Sequence, residues 1–158
     1  MKNILLPILL VVLTATALAQ NHTPGIIESN GLYFTDASQS KFYTGEYKEF
    51  YPSGELKVEM NLKDGKPEGS YIVYFANGKP NEVRAYRNGQ FHGVWRTYND
   101  AGMLISEAEY RNDKKTGTWH VWDDSGIMRY EMQYDNGKKT GTWYMWDEKG
   151  KLISEKKY

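Results

Sequence analysis

The chain has no cysteine and no excess of either charge, and each absence excludes a class of function. Without cysteine there is no disulfide, no thiolate nucleophile, no cysteine-ligated zinc and no lipidated amino-terminal cysteine. Because 20 Lys and Arg balance 20 Asp and Glu, no net positive field attracts phosphate. We therefore predict that the chain does not bind nucleic acid.

Long apolar runs are also scarce, and the one present lies at the start of the chain. Lys2 precedes an apolar stretch from Ile4 to Leu13, and Ala17-Leu18-Ala19 follows as a small-x-small motif. This order is typical of a secretory signal peptide, and the stretch is short for a membrane span. We predict a signal peptide over 1–19, cleavage between Ala19 and Gln20, a periplasmic or secreted product, and no transmembrane segment after cleavage.

Glycine, in contrast, is abundant and periodic. One glycine recurs every 24 residues and defines position 0 of a repeat: Gly45, Gly69, Gly93, Gly117 and Gly141. A second glycine recurs at position 9: Gly54, Gly78, Gly102, Gly126 and Gly150. A fixed period of this length indicates a repeat array. We predict five repeats over 45–158 (45–68, 69–92, 93–116, 117–140 and 141–158), after a flexible leader and an irregular first strand within 20–44.

Aromatic residues keep the same period. Position 2 holds Tyr47, Tyr71, Trp95, Trp119 and Trp143. Position 5 holds Phe50, Tyr74, Tyr98, Trp122 and Trp146. Position 17 holds Leu62, Tyr86, Tyr110, Tyr134 and Tyr158. Aromatic and β-branched residues favour strands, and the glycines interrupt any helical periodicity.

Each repeat therefore reads as a β-hairpin. Its first strand ends before a turn such as Asp124-Ser125-Gly126, and its second strand ends before a turn such as Asn136-Gly137. Because one hairpin cannot bury an apolar face alone, neighbouring hairpins must stack side by side. The predicted fold is all-β: an elongated single-layer antiparallel meander of five hairpins.

Strand parity predicts two unlike faces. Positions 11, 13, 15 and 17 of the second strand share one side, and in the fourth repeat they are Met128, Tyr130, Met132 and Tyr134. An even-length turn places them on the side of positions 2 and 4. Position 5 then falls on the other, polar side.

The repeats carry a family resemblance. The run from Asp135 to Trp143, followed by Trp146 and Gly150, resembles MORN-variant repeats, as do Lys63-Asp64-Gly65-Lys66 and the run from Tyr86 to Trp95. The resemblance covers 45–158 and implies a β-hairpin ribbon used for interactions. Exported bacterial proteins of this type are grouped as an antitoxin-like family, and an immunity or antitoxin role is implied only through that grouping.

No group of residues indicates catalysis. His92 and His120 occupy different repeat positions, and no spacing matches a nucleophile–base pair or a metal site. The glutamates at position 14 recur on an open ribbon and are typical of a solvated charge ladder: Glu59, Glu107, Glu131 and Glu155. We predict a protein that is not an enzyme and uses no cofactor and no metal.

The aromatic stripes remain as candidate sites. Those at positions 2 and 17 are explained by cross-strand packing. The stripe at position 5 lies among polar neighbours, and exposed rows of aromatics mark partner surfaces. Phe50, Tyr74, Tyr98, Trp122 and Trp146 are therefore the predicted partner-binding residues. The leading hypothesis is an exported scaffold that binds another protein, and the alternative is a cell-envelope glycan-binding module in which rings stack on sugars.

Overall fold

The computed structural model of the chain describes residues 22–158; the predicted signal peptide and its cleavage point at Ala19 and Gln20 lie outside them. The described residues form thirteen β-strands and no helix. The strands are β1 (Ile27–Ser29), β2 (Leu32–Phe34), β3 (Gly45–Phe50), β4 (Leu56–Lys63), β5 (Lys66–Tyr74), β6 (Pro80–Arg87), β7 (Gln90–Phe91), β8 (Gly93–Tyr98), β9 (Leu104–Arg111), β10 (Lys114–Trp122), β11 (Met128–Asp135), β12 (Lys138–Trp146) and β13 (Leu152–Lys157).

Strands β3 to β13 form one antiparallel sheet in chain order, with β3 at one edge and β13 at the other. The two short strands β7 and β8 both pair with β6 and act as one interrupted strand. The predicted all-β single-layer meander of five hairpins is confirmed. At roughly 4.8 Å between neighbouring strands, its ten rows span about 45 Å.

The turn within each hairpin is the same in all five repeats. In the fourth, the Asp123 amide donates to the Ile127 carbonyl at 2.9 Å, and the Gly126 amide donates to the Asp123 carbonyl at 2.9 Å. The Asp123 carboxylate accepts from the amides of Ser125 and Ile127. Gly126 has a φ of 79°, a conformation that glycine adopts without steric cost. Gly126 thus acts as the sequence predicts, but the carboxylate that supports the turn is that of Asp123 and not that of Asp124 in the predicted turn.

A β-bulge next to this turn changes one predicted face. The pairing shifts by one residue, so position 5 lies opposite position 11, as in Trp122 opposite Met128 and Trp146 opposite Leu152. The extra residue is at position 12, where Arg129 and Ile153 lie. Directly opposed residues share a face. Position 11 therefore belongs with the aromatic stripe at position 5, and the expectation that it joins positions 13, 15 and 17 is wrong.

A second bulge lies at the repeat glycine. The pairing of β9 with β10 shifts between Thr116 and His120, around Gly117, whose φ is 66°. A β-carbon on Gly117 would collide with the Glu109 carboxylate. The strand is regular from position 2 to position 5, so these two aromatic positions still point to opposite faces.

Residues 22–44 pack on the first repeat. Strands β1 and β2 pair with each other, and Ile26 is 8% exposed in a cluster with Tyr47, Met60 and Leu62. At the outer edge of β3, the Thr23 amide donates to the Lys48 carbonyl, and the Lys48 amide donates to the Thr23 hydroxyl. The sequence predicts a flexible leader and one irregular strand within 20–44. The described residues of this range instead form a packed segment, because Ile26 and its apolar neighbours bury their side chains against the first repeat.

Candidate functional site

The sheet has two unlike faces. The ladder face carries positions 2, 4, 13, 15, 17 and 22 of the repeats, and the stripe face carries positions 3, 5, 11 and 14. Pairings such as Val121 opposite Tyr130, and Tyr130 opposite Met145, define the ladder face. Pairings such as His120 opposite Glu131 define the stripe face. In repeats 2 to 5 no second layer of the described chain covers either face.

Aromatic rings run without a break along the ladder face of repeats 2 to 5. Neighbouring ring centroids lie 4.7 to 5.8 Å apart in a series of nine side chains: Tyr71, Tyr86, Phe91, Trp95, Tyr110, Trp119, Tyr134, Trp143 and Tyr158. Ring centroids at this separation attract one another. The rings therefore pack against each other along the sheet, each remaining open to solvent on its outer side.

Backbone carbonyls fix the orientation of two of the indoles. The Trp119 indole N–H donates to the Glu109 carbonyl at 3.1 Å, and the Trp143 indole N–H donates to the Gln133 carbonyl at 3.1 Å. Trp95 departs from this pattern: its indole nitrogen is buried and has no hydrogen-bond partner among residues 22–158. The Ala85 carbonyl at the equivalent position instead accepts from the His92 amide.

Two lysines lie over this aromatic ladder. The Lys115 ammonium is 4.4 Å from the Trp119 ring centroid and 5.0 Å from that of Tyr134. Lys139 repeats the arrangement at 4.3 Å from Trp143 and 4.9 Å from Tyr158. Both lysines occupy position 22, directly opposite the tyrosine at position 17 of the preceding strand. An ammonium group over an aromatic face at this distance is held by cation–π attraction.

The ladder face of repeats 3 to 5 contains no acidic side chain. Its residues are Trp95, Thr97, Ser106, Ala108, Tyr110, Lys115, Trp119, Val121, Tyr130, Met132, Tyr134, Lys139, Trp143, Met145, Ser154, Lys156 and Tyr158. Lys115, Lys139 and Lys156 are its only charged side chains, and none of them forms an ion pair within residues 22–158. This surface is therefore aromatic and positively charged.

On the stripe face, several carboxylates lie beside basic side chains. The Arg96 guanidinium lies 2.8 Å from the Glu107 carboxylate, and the His120 imidazole lies 3.7 Å from the Glu131 carboxylate. In the predicted glutamate series, Glu59, Glu107 and Glu131 thus lie next to basic side chains across the strands. Glu155 lies opposite Tyr144 instead. Partly exposed pairs of this kind add little stability each.

The predicted partner-binding stripe lies on this second face. Phe50, Tyr74, Tyr98, Trp122 and Trp146 are all half-buried. Trp122 stacks on His120 with centroids 5.5 Å apart, and Trp146 lies 5.9 Å from Tyr144. Each stripe residue also opposes an apolar residue at position 11. The bulge therefore supplies these rings with packing partners that strand parity did not predict.

In the first repeat, the ladder face is covered by an N-terminal segment of the chain. Tyr47 is 4% exposed, Met60 1% and Leu62 3%, because residues 22–34 lie across them. The Tyr33 ring packs edge-on to Tyr47 at 4.9 Å, and the His22 ring stacks on Tyr47. Burial raises the pKa of the Tyr33 and Tyr47 phenols well above the ordinary value.

Metal sites, membrane-spanning helices and cavities bear on ligands of other kinds. Residues 22–158 hold no group of three or more His, Asp or Glu side chains placed to bind a metal ion. The same residues include no helix with the length and apolarity needed to span a bilayer. Shallow hollows do occur on the ladder face, one of them bordered by Trp95, Tyr110 and Trp119.

Comparison with known families adds one match. The model of the MORN repeat variant family matches residues 43–64, 91–112, 115–136 and 139–158. The interval between the first two segments holds the repeat with Pro80, Glu82 and Arg84, yet β5 and β6 form the same hairpin there. No curated protein matches the chain. The match does not support the narrower antitoxin-like grouping.

Proposed function

Because the chain belongs to the MORN repeat variant family, we propose that it is an exported, non-catalytic protein whose sheet binds another protein. Export rests on the signal-like sequence before Asn21. A binding role rests on the repeat architecture, since stacked hairpins present an extended surface that a single compact core would bury.

One observation carries the proposal: the aromatic ladder of repeats 2 to 5 is ordered by its own contacts but left uncovered by the described chain. In the first repeat the equivalent surface is the centre of a core. Large uncovered aromatic surfaces mark interaction sites, and aromatic residues supply most anchors at protein interfaces. A partner would therefore bury rings that are already held in place.

An antitoxin or immunity role is one narrower form of this proposal, in which the partner is a toxin. Envelope glycan binding is the alternative, and the tilt between ladder rings bears on it. Neighbouring planes such as Tyr110 and Trp119 meet at 58°, and Trp119 and Tyr134 meet at 51°. Such rings offer edges and clefts more than a row of flat platforms for sugar stacking, which favours a protein partner.

The test uses the processed chain as bait. We expect it to capture a discrete protein from an envelope extract, and we expect that partner, purified alone, to bind with a defined stoichiometry. A Trp119→Ala, Trp143→Ala variant is the matched control and should bind the purified partner more weakly. Sedimentation with purified wall glycan in place of a protein partner would overturn the proposal in favour of the glycan alternative.

Export is tested separately by the intact mass of the exported protein. We expect a chain beginning at Gln20 with no lipid attached. A chain that retains Met1 would contradict export through a cleaved signal peptide.

A further inference from the structure

The chain itself shows how the ladder face is covered. In the first repeat, Ile26 inserts among Tyr47, Met60 and Leu62, and Tyr33 packs edge-on to Tyr47. This covering element is an irregular segment with two short strands. It contributes the aliphatic side chain of Ile26 and the rings of His22 and Tyr33 to the face. A polypeptide segment of similar chemistry therefore fits the same positions in the later repeats.

Charge distinguishes the ladder face of repeats 3 to 5 from that of the first two repeats. The first two repeats carry the acidic residues Glu49 and Glu82 at its positions, and Glu82 pairs with Arg84. Repeats 3 to 5 carry only Lys115, Lys139 and Lys156. A segment that binds there must therefore bring negative charge, since a basic one would face repulsion from all three ammonium groups.

The spacing of the lysines specifies the segment further. Lys115 and Lys139 are one repeat apart, which is two strands and about 10 Å. In a polyproline II conformation, every third residue faces the same side and advances about 9.3 Å. Carboxylates three residues apart therefore match Lys115 and Lys139, and the residues between them lie over the Trp and Tyr rings.

We infer that the ladder face of repeats 3 to 5 binds an extended, acidic segment of a partner protein, with carboxylates at Lys115 and Lys139 and aliphatic side chains against the rings between them. This inference rests on the proposed function and names the partner's chemistry. It also assigns the binding to the ladder face instead of the stripe at position 5.

The five tryptophans can report which face of the sheet binds the peptide. Trp95, Trp119 and Trp143 lie on the ladder face, whereas Trp122 and Trp146 lie on the stripe face. Indole N–H signals of the ¹⁵N-labelled processed chain, assigned by single Trp→Phe substitutions, would be followed during titration with a synthetic (Glu-Pro-Ile) repeat peptide. We expect the three ladder signals to shift and the two stripe signals to stay in place. The (Lys-Pro-Ile) peptide should shift none of them.

Matched charge variants test the role of the lysines. Lys115→Glu with Lys139→Glu should weaken binding of the acidic peptide by at least about tenfold, because two attractive contacts become repulsive. Lys114→Glu with Lys138→Glu makes the same charge change on the neighbouring residues, which point to the opposite face. This control should lose less than about threefold. Equal losses in the two double variants would overturn the inference, since only general charge would then matter.

Other outcomes separate this inference from the proposed function. Shifts of the Trp122 and Trp146 signals, or no shift with the acidic peptide, would overturn the ladder-face site. In that case the proposed function would still stand if the captured partner bound the Lys115→Glu, Lys139→Glu variant as tightly as the unmodified chain. Ladder signals that respond to phosphatidylglycerol vesicles but not to the peptide would assign the face to an anionic lipid surface, which also overturns the inference.

Discussion

The first and fourth repeats place the same residue type in opposite surroundings. Position 15 is methionine in both, but Met60 is 1% exposed, whereas Met132 lies half-buried on an open face. The difference comes from residues 22–34, which cover the first repeat alone. The repeat sequence thus determines which face a side chain occupies, and the covering segment determines whether that face becomes a core.

The open repeats compensate for the missing cover within their own layer. Trp119 contacts Tyr110 and Tyr134, and Lys115 lies over the rings. Each ring thereby loses part of its contact with water while the surface remains available. A lysine stem covers apolar area while its ammonium group stays hydrated.

The largest expected effect is the loss of stability when a side chain of the covered core is removed. Met60→Ala removes a fully buried side chain and should lower the free energy of unfolding by about 2–5 kcal/mol. Met132→Ala makes the same change on the open face and should cost under about 1 kcal/mol, because the vacated space is already accessible to water. Urea unfolding followed by circular dichroism measures both. Similar losses in the two variants would show that the open repeats are also covered.

The next effect compares the two faces within the fourth repeat. Trp119→Ala removes the contacts to two neighbouring rings and the hydrogen bond to the Glu109 carbonyl, and should cost about 2 kcal/mol. Trp122→Ala removes a ring that stacks on His120 and opposes Met128, and should cost about 1 kcal/mol. Chemical melts of both variants measure the difference.

Partner titration with the same two variants separates the hypotheses about the site. The sequence hypothesis expects Trp122→Ala to weaken partner binding, whereas the ladder-face inference expects Trp119→Ala to do so. Unchanged binding in the Trp119→Ala protein would favour the stripe.

A smaller effect concerns the turns that the repeats share. Gly126 has a φ of 79° and open space where a β-carbon would lie, so Gly126→Val adds backbone strain without a clash. We expect a cost of about 1–2 kcal/mol. Ser125→Val in the same turn should be close to neutral. Equal midpoints in a thermal melt would contradict the turn geometry.

The smallest effect is a contrast in tyrosine ionisation. Burial and, next, the nearby Glu49 carboxylate raise the pKa of Tyr47. Desolvation acts in the same direction at Tyr158, but hydrogen bonds and charge from Lys139 and Lys156 outweigh it and lower the pKa of Tyr158. In a near-ultraviolet titration we expect Tyr158→Phe to remove an early-ionising tyrosine and Tyr47→Phe a late one.

The sign of the stability change follows from the raised pKa. Above about pH 10 the unfolded chain loses tyrosine protons that Tyr47 retains in the folded protein. The free energy of unfolding should therefore fall as the pH rises from about 10 towards the folded-state pKa of Tyr47, and less so in the Tyr47→Phe variant. A stability independent of pH in this range would contradict the burial of the phenol.

Much of this architecture is readable from the sequence. The period of glycine at positions 0 and 9 predicted the hairpins and turns, and parity placed Trp119 and Trp122 on opposite faces. The bulge at position 12 is not predicted, because the residue type there varies between repeats, as in Arg129 and Ile153, and so gives no periodic signal. Covering by Ile26 was missed because that segment lies outside the period.

The sequence also contains a signal for the position of Lys115 and Lys139. Lys139 lies directly across the Asn136-Gly137 turn from Tyr134, and a two-residue hairpin turn makes such residues face each other. Counting positions outward from that turn would have placed an ammonium group beside the aromatic series.

Methionine oxidation tests most directly the central claim that one sheet face is a core in the first repeat and a surface in the later ones. Hydrogen peroxide would be applied to the folded protein, and each methionine followed by peptide mass mapping. We expect Met103, which is 41% exposed, and Met132 to oxidise readily, and Met60 to react only through opening of the first repeat. An Ile26→Asp variant should raise the rate at Met60 alone. Met60 reacting as fast as Met132 in the unmodified protein would contradict the account.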